Sequence, residues 1–293
     1  MIEEALLNHL TSQKELTDLL AIYDDEPAVF LNEAPADTSK KWGRGSQYGR
    51  IVFVEDIQGI PGRTAGGILA VYIMCKKDSQ YPEDIEPIIR KLIHGYFFSN
   101  GTFTVSAQFK NSTYLTEPTD PVSVCTVAFD LLAFPVLSTT GIDVISRLNE
   151  WTSNIKGLYV INHHKLPAAA WKPTGDETAV YWRRLNEGPA KKIRDTYATI
   201  WRTATIKGHI FSENMSTASS VAAELIIRLY TDKRLLKPGE SPIMVDDRNV
   251  QDDAADPLKT GQLTVEATYG IIRYKQQSDA IITNIKKTRK ESL

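Results

Sequence analysis

Apolar residues recur every three or four positions in some stretches of this chain and every second position in others. The two rhythms alternate in an order that comes round twice. Residues 84–101, DIEPIIRKLIHGYFFSNG, carry Ile89, Leu92, Ile93 and Tyr96 at the spacing of an amphipathic helix. Pro82 opens this helix, Glu83 and Asp84 sit in its first turn, and Asn100-Gly101 close it. Residues 216–233, STASSVAAELIIRLYTDK, read the same way. Aligned on Leu92 and Ile226, an offset of 134, Ile89 meets Ala223, Ile93 meets Ile227 and Tyr96 meets Tyr230.

The surrounding elements follow suit. Residues 1–23 have helical spacing (Ile2, Leu6, Leu10, Leu16, Leu19, Leu20, Tyr23) with a break expected at Thr11-Ser12. PAVFLN (27–32) reads as a short strand and KKWGRGSQYG (40–49) as a loop. RIVFVEDI (50–57) and ILAVYIMC (68–75) form a hairpin across the turn-rich QGIPGRTAGG, where Pro61-Gly62 suits a type II turn. TFTVSAQF and PVSVCTVAFDLLAF add two strands either side of TEPTDP. In the second half, GIDVISRLNEW is a helix with Ile142, Ile145 and Leu148 on one face. GLYVIN, AVYWRRLNEG and ATIWRTATIKGHIF then match the first three strands. The second helix, SPIMVDD and GQLTVEATYGIIRY complete the order.

The last strand tests the repeat most sharply. At an offset of 140, Cys125, Val127, Phe129 and Leu131 fall on Val265, Ala267, Tyr269 and Ile271. Strand side chains alternate faces, so these eight residues are expected to point into two equivalent cores. The predicted fold class is therefore α+β: two tandem copies of a small module, each a mainly antiparallel sheet with helices on one face. The modules are expected at residues 1–137 and 138–277, meeting near FPVLSTTG, with a basic tail at 278–293.

Composition narrows the function. A formal net charge of −2 with 24% charged residues argues against a general nucleic-acid binder. No apolar run approaches the roughly 20 residues that span a bilayer. The N-terminus, MIEEALLNHL, is acidic where a secretory signal is basic, so a cytoplasmic site of synthesis is expected. Cys75 and Cys125 each lie in an apolar run and are expected to be buried free thiols.

Candidate chemistry is sparse. Adjacent strand residues point to opposite faces, so His163 and His164 cannot share a metal from a strand. DDRNVQDDAAD (246–256) is acidic, but its sixth residue is Gln251 where a calcium loop needs Gly, and its twelfth position is Pro257 where Glu is needed. GRGSQYG (43–49) leads into a strand and not a helix, unlike a phosphate cradle. No GxSxG elbow occurs. No catalytic, metal-binding or cofactor-binding residue is assigned, and no cofactor is expected. Recognition is placed instead on loops: Arg63 in the first hairpin loop (58–67), Lys191, Lys192 and Arg194 in the second (186–197), and Lys286, Lys287, Arg289 and Lys290 in the tail.

The N-terminal helix, the long hairpin RIVFVEDIQGIPGRTAGGILAVYIMC, the helix PEDIEPIIRKLIHGYF and the closing strand pair together resemble the bacteriophage tail terminator, or tail-completion, family. The resemblance implies a structural, non-enzymatic protein. Its members form a ring, typically six-fold, on the head-proximal end of the tail tube, where they stop polymerisation and face the neck. Implied partners are further copies of the chain, the tube protein, a neck or head-completion protein and, as a further candidate, the sheath protein. No membrane or sequence-specific nucleic acid is implied, although DNA would pass through the lumen. The doubled module departs from single-module members. The first hairpin loop is uncharged apart from Arg63, while the second carries three Lys or Arg and two acidic residues, so six chains are expected over three. Another neck or connector ring, a contractile-injection cap and an α+β metabolic or nucleotide-modifying enzyme are the alternatives.

Overall fold

The computed structural model describes residues 2–43, 47–57, 66–77, 79–100, 103–115, 121–135, 142–163, 166–175, 177–232, 234–235, 242–246 and 261–272. By compactness the chain divides into two units. One is Met1–Val136 with Tyr159–Ala179, and the other is Leu137–Leu158 with Val180–Leu293. Residues 159–179 are thus grouped with the first unit.

The first unit opens with α1 (Glu3–Thr11) and α2 (Lys14–Thr17). They part at the expected place because the Thr11 and Ser12 hydroxyls donate back to the carbonyls of Leu7 (2.9 Å) and His9 (2.8 Å), competing with helix continuation. A small hairpin follows, β1 (Ile22–Tyr23) and β2 (Glu26–Pro27), turned by Asp24 and Asp25 at φ 55° and 67°. Then come β3 (Val29–Leu31), β4 (Arg50–Ile57), β5 (Gly66–Lys76), α3 (Pro82–Ile93), β6 (Phe97–Ser99), β7 (Thr104–Leu115) and β8 (Val122–Phe134). The rest of the chain forms α4 (Val144–Ser153), β9 (Leu158–Val160), β10 (Ala170–Trp171), β11 (Thr178–Pro189), β12 (Thr199–Ser212), α5 (Met215–Asp232), β13 (Arg234–Leu235), β14 (Ile243–Asp246) and β15 (Leu263–Ile272).

Two sheets result, and their strand orders coincide. The first runs β10-β6-β7-β8-β5-β4-β3 and the second β13-β14-β15-β12-β11-β9. Apart from β10, each strand of one sheet has a counterpart in the same place in the other. The fold is α+β, in two tandem modules. The central pairing repeats in register. Ile73, Val71 and Leu69 face Cys125, Val127 and Phe129, while Ile206, Ala204 and Arg202 face Val265, Ala267 and Tyr269.

Helices cover one face of each sheet. In the first unit Leu6, Leu10, Leu16, Ile85, Ile89 and Leu92 pack on Ile51, Phe53, Val71, Ile73, Val127 and Phe129. In the second, Leu148, Ala222, Leu225 and Leu229 pack on Val180, Trp182, Ile206, Val265 and Tyr269. Gly208 permits this second core: a Cβ there would lie 2.6 Å from the Trp182 ring, whose Nε1 donates to Thr152 Oγ1 at 2.9 Å. Of the eight residues expected inside, seven are buried. Ile271, near the end of β15, is half-buried against the same core.

Three expectations need correction. The first helix ends at Ile93, and Phe97 and Phe98 belong to β6. Gly95 adopts φ 78°, its N–H donates to the Ala107 carbonyl (2.8 Å), and the chain turns into the sheet edge. The helices also align one residue differently. Ile85, Ile89 and Leu92 correspond to Ala218, Ala222 and Leu225, an offset of 133, because those are the buried positions. Ile227 and Tyr230, matched above with Ile93 and Tyr96, are instead exposed. Finally, β10 was not anticipated. Ala170 and Trp171 pair antiparallel with Phe98 and Phe97, adding a strand to the edge of the first sheet.

Candidate interaction surfaces

The groups with the most reactive chemistry are held in the interior or tied to backbone. Cys75 and Cys125 are fully buried. Burial pushes the Cys75 thiol up to about 12, with the nearby Asp84 and Glu83 adding to it, and the Cys125 thiol up to about 11. Both are protonated at neutral pH and lack thiolate nucleophilicity. His9 Nε2 lies 2.9 Å from the Leu92 carbonyl, and His94 Nδ1 accepts the Phe109 N–H at 3.0 Å. Burial holds both imidazoles below the usual histidine range. His163 is exposed in the turn after β9, and His164 lies outside the described residues. Among the described residues no three His, Cys, Asp or Glu side chains are grouped to hold a metal ion.

The connection between β3 and β4 is fastened by a compact cluster. Arg50 Nη1 donates to Asp37 Oδ1 (2.5 Å) and Tyr48 Oη to Asp37 Oδ2 (2.8 Å). The guanidinium lies 5.0 Å from the Tyr48 ring centre and 5.8 Å from that of Trp42. The Arg50 and Tyr48 hydrogen bonds hold the Asp37 carboxyl below its ordinary range. Gly49, at φ 83°, leaves no room for a Cβ, which would sit 2.8 Å from the Leu19 carbonyl oxygen. Residues 44–46 of the glycine-rich stretch lie outside the described residues, and what flanks them acts as a joint.

Of the eight candidate contact residues, the structure brings three together. Asn186 to Pro189, expected in a loop, extend β11 instead, so the tip of the second hairpin runs from Ala190 to Ala198. Its shape is set by Trp201 N–H donating to Asp195 Oδ1 (2.8 Å) and Thr196 N–H to the Thr199 carbonyl (2.8 Å). Lys191, Lys192 and Arg194 are exposed on this tip beside Tyr197, which is 75% exposed. Arg63, Lys286, Lys287, Arg289 and Lys290 lie outside the described residues, as do residues 247–256 of the acidic stretch.

Two further differences between the units escaped the sequence. The first is on the sheet faces turned away from the helices. In the first sheet this face pairs Met74 with Val124, Tyr72 with Thr126 and Ala70 with Ala128. In the second, the corresponding pairs are Lys207 with Thr264, Thr205 with Glu266 and Thr203 with Thr268. Lys207 Nζ donates to Thr264 Oγ1 (2.8 Å), and the hydroxyls of Thr203 and Thr268 are hydrogen-bonded at 2.9 Å. At these places the first outer face is the more apolar, although Ile68 further along it lies between Asp56 and Asp130, where the second sheet has Trp201 against Gly270.

The second difference lies inside. Glu55 pairs with Leu69 and so shares the inward face with Phe53 and Ile51. Its Oε2 is buried without a hydrogen-bond partner. Burial, with the Glu3 charge adding to it, pushes the Glu55 carboxyl up to about 7. The second unit has a satisfied polar cluster near its inward Tyr269. Tyr269 Oη donates to Glu187 Oε1 (2.6 Å), and Arg184 Nη1 donates to Glu187 Oε2 (2.6 Å).

No protein-family model matches the chain, and no curated protein matches its sequence. No helix among the described residues is long and apolar enough to cross a membrane.

Proposed function

We propose that this chain is the subunit of a ring that caps the head-proximal end of a phage tail tube, stops its growth and joins the tail to the neck. The observation that carries the reading is the pair of sheets with one strand order, each covered by helices on one face. The resemblance to tail terminators rests on the order of helices and strands along the chain and on its hydrophobic pattern, with which this repeated architecture is compatible. A rigid repeated scaffold with a charged hairpin tip suits recognition of protein neighbours better than turnover of a small molecule.

In this reading the chain is made in the host cytoplasm and resides in the virion tail. It contacts its own copies, the tube protein and a neck protein, with the sheath as a further neighbour in a contractile tail. DNA passes through the lumen without being read. The Lys191–Lys192–Arg194 tip is the first candidate for a contact with another protein. The experiment is to add the purified chain to a polymerising phage tail tube protein and to image the products. Tubes capped at one end and shorter than untreated ones are expected. Tubes of unchanged length with bare ends would overturn the reading.

A further inference from the structure

The hairpin of β11 and β12 carries a charge that its counterpart lacks. Residues 178–212 hold seven Lys or Arg against two Asp or Glu, in a chain whose formal net charge is −2. The equivalent hairpin of the first unit, residues 50–76, holds three against two. The second hairpin is thus positive by five, and the remainder of the chain is negative by seven.

Both acids of the hairpin are engaged. Glu187 accepts from Tyr269 and from Arg184 (2.6 Å each), and Asp195 accepts the Trp201 N–H (2.8 Å). The Trp201 carbonyl accepts the Ala190 N–H at 3.0 Å, so the tip is clamped on both sides of this residue. The tip stands beyond Thr199–Ile272, the outermost pair that β12 makes with β15. Lys191 and Arg194 are exposed, and neither makes an ion pair among the described residues.

Apolar side chains accompany this charge. Tyr197 is 75% exposed and Leu185 53%. The half-buried Trp201 ring lies across Gly270, where a Cβ would come within 3.4 Å of it. Tyrosine, tryptophan and arginine are the side chains that most often anchor contacts between proteins. Charge of one sign around such anchors steers in a partner of the opposite sign and selects against others.

We infer that the β11–β12 hairpin is an arm that binds an acidic segment of another protein, one with apolar side chains among its carboxylates. This rests on the reading of the hairpin tip as a protein contact and names the chemistry of the partner. Nucleic acid fits the arm less well. A phosphate backbone gives Leu185 nothing apolar to meet, and a long polyanion passing the tip is repelled by the negative remainder of the chain. A short acidic segment meets the arm alone.

The test is fluorescence anisotropy on the full chain, with poly-L-glutamate and a glutamate peptide with leucines interspersed as labelled probes. A random-sequence DNA duplex is the competitor. At about 50 mM salt, wild type is expected to bind the leucine-bearing peptide about tenfold more tightly than poly-L-glutamate, because burying a leucine adds to the charge. Lys191→Glu with Arg194→Glu should weaken binding about tenfold at that salt and far less at about 500 mM, where charges are screened. Tyr197→Ala should reduce the preference for the leucine-bearing peptide at both salts. Lys40→Glu with Lys156→Glu makes the same change of net charge at exposed positions off the arm, and should bind like wild type. Circular dichroism and melting verify that each variant is folded. The arm is overturned if wild type does not bind the peptide, if poly-L-glutamate binds as well, or if the arm reversal weakens binding no more than its control does. It is also overturned if the Tyr197 variant keeps the full preference, or if DNA displaces the peptide at an equal concentration of anionic groups. Each of these outcomes leaves the ring reading to the capping assay. Wild type that binds the peptide but leaves tubes uncapped overturns the ring and keeps the arm.

Discussion

Among single residues, Glu55 has the most direct consequence for behaviour in solution. Its carboxyl is raised from 4.5 to about 7 in the folded protein, so the native state holds this proton more tightly than the unfolded chain does. The associated stability is fully present below about pH 4.5 and is lost as pH rises through 7. Glu55→Gln is therefore expected to melt at the same temperature as wild type at low pH and above it at pH 8. The gain should be on the order of 1–2 kcal/mol, less than the whole shift because the side chain is only half-buried. Equal pH profiles for the two proteins would contradict this. Phe129 is wholly buried and meets the Phe109 ring edge-on at 6.0 Å, so Phe129→Ala should cost about 3–5 kcal/mol in a denaturant melt. Cys75 and Cys125 should resist a thiol reagent until the protein is unfolded, and fast labelling of the native protein would show that they are not core residues. Alternation along β8 and β15 made the inward residues legible in the sequence. Glu55 was not, since the same alternation points it inward but does not tell whether a partner meets it there.

Among the elements, long and strongly periodic segments were readable and short ones were not. The order of helices and main strands followed from period alone. β10 has two residues, too few for any period, and its place depends on the edge that β6 offers at Phe97 and Phe98. β6 itself was hidden because Phe97 and Phe98 continue the apolar run of α3, and only the backbone at Gly95 separates them. The second unit has no glycine at that point, and α5 runs on to Asp232. Gly95→Ala is accordingly expected to destabilise the first unit by about 1–2 kcal/mol, because alanine is strained at φ 78°. The Cβ itself would meet only the mobile end of the Lys172 side chain, at 3.2 Å. A denaturant melt shifted by less than about 0.5 kcal/mol, the scatter of surface substitutions, would contradict this account of the helix stop.

For the whole molecule, the repeat was legible because the two modules share the period and the order of their elements. The surfaces were not legible in the same way. Whether Met74–Val124 and Lys207–Thr264 occupy matching places depends on strand pairing, which alternation does not supply. Once the pairing is known, the two units share one strand order and differ both on their outer faces and, at Glu55, inside. A ring in which both units play the same part would need matching exteriors, so the divergence favours one copy of the first unit per ring position. On the proposed tail-cap reading, the measurement that tests this most directly is native mass spectrometry of the ring released from assembled tails, with a symmetry count by electron microscopy. Six copies of the 32.8 kDa chain, about 197 kDa with six-fold symmetry, are predicted. Three copies, about 98 kDa, with both units touching the tube in the same way would contradict it.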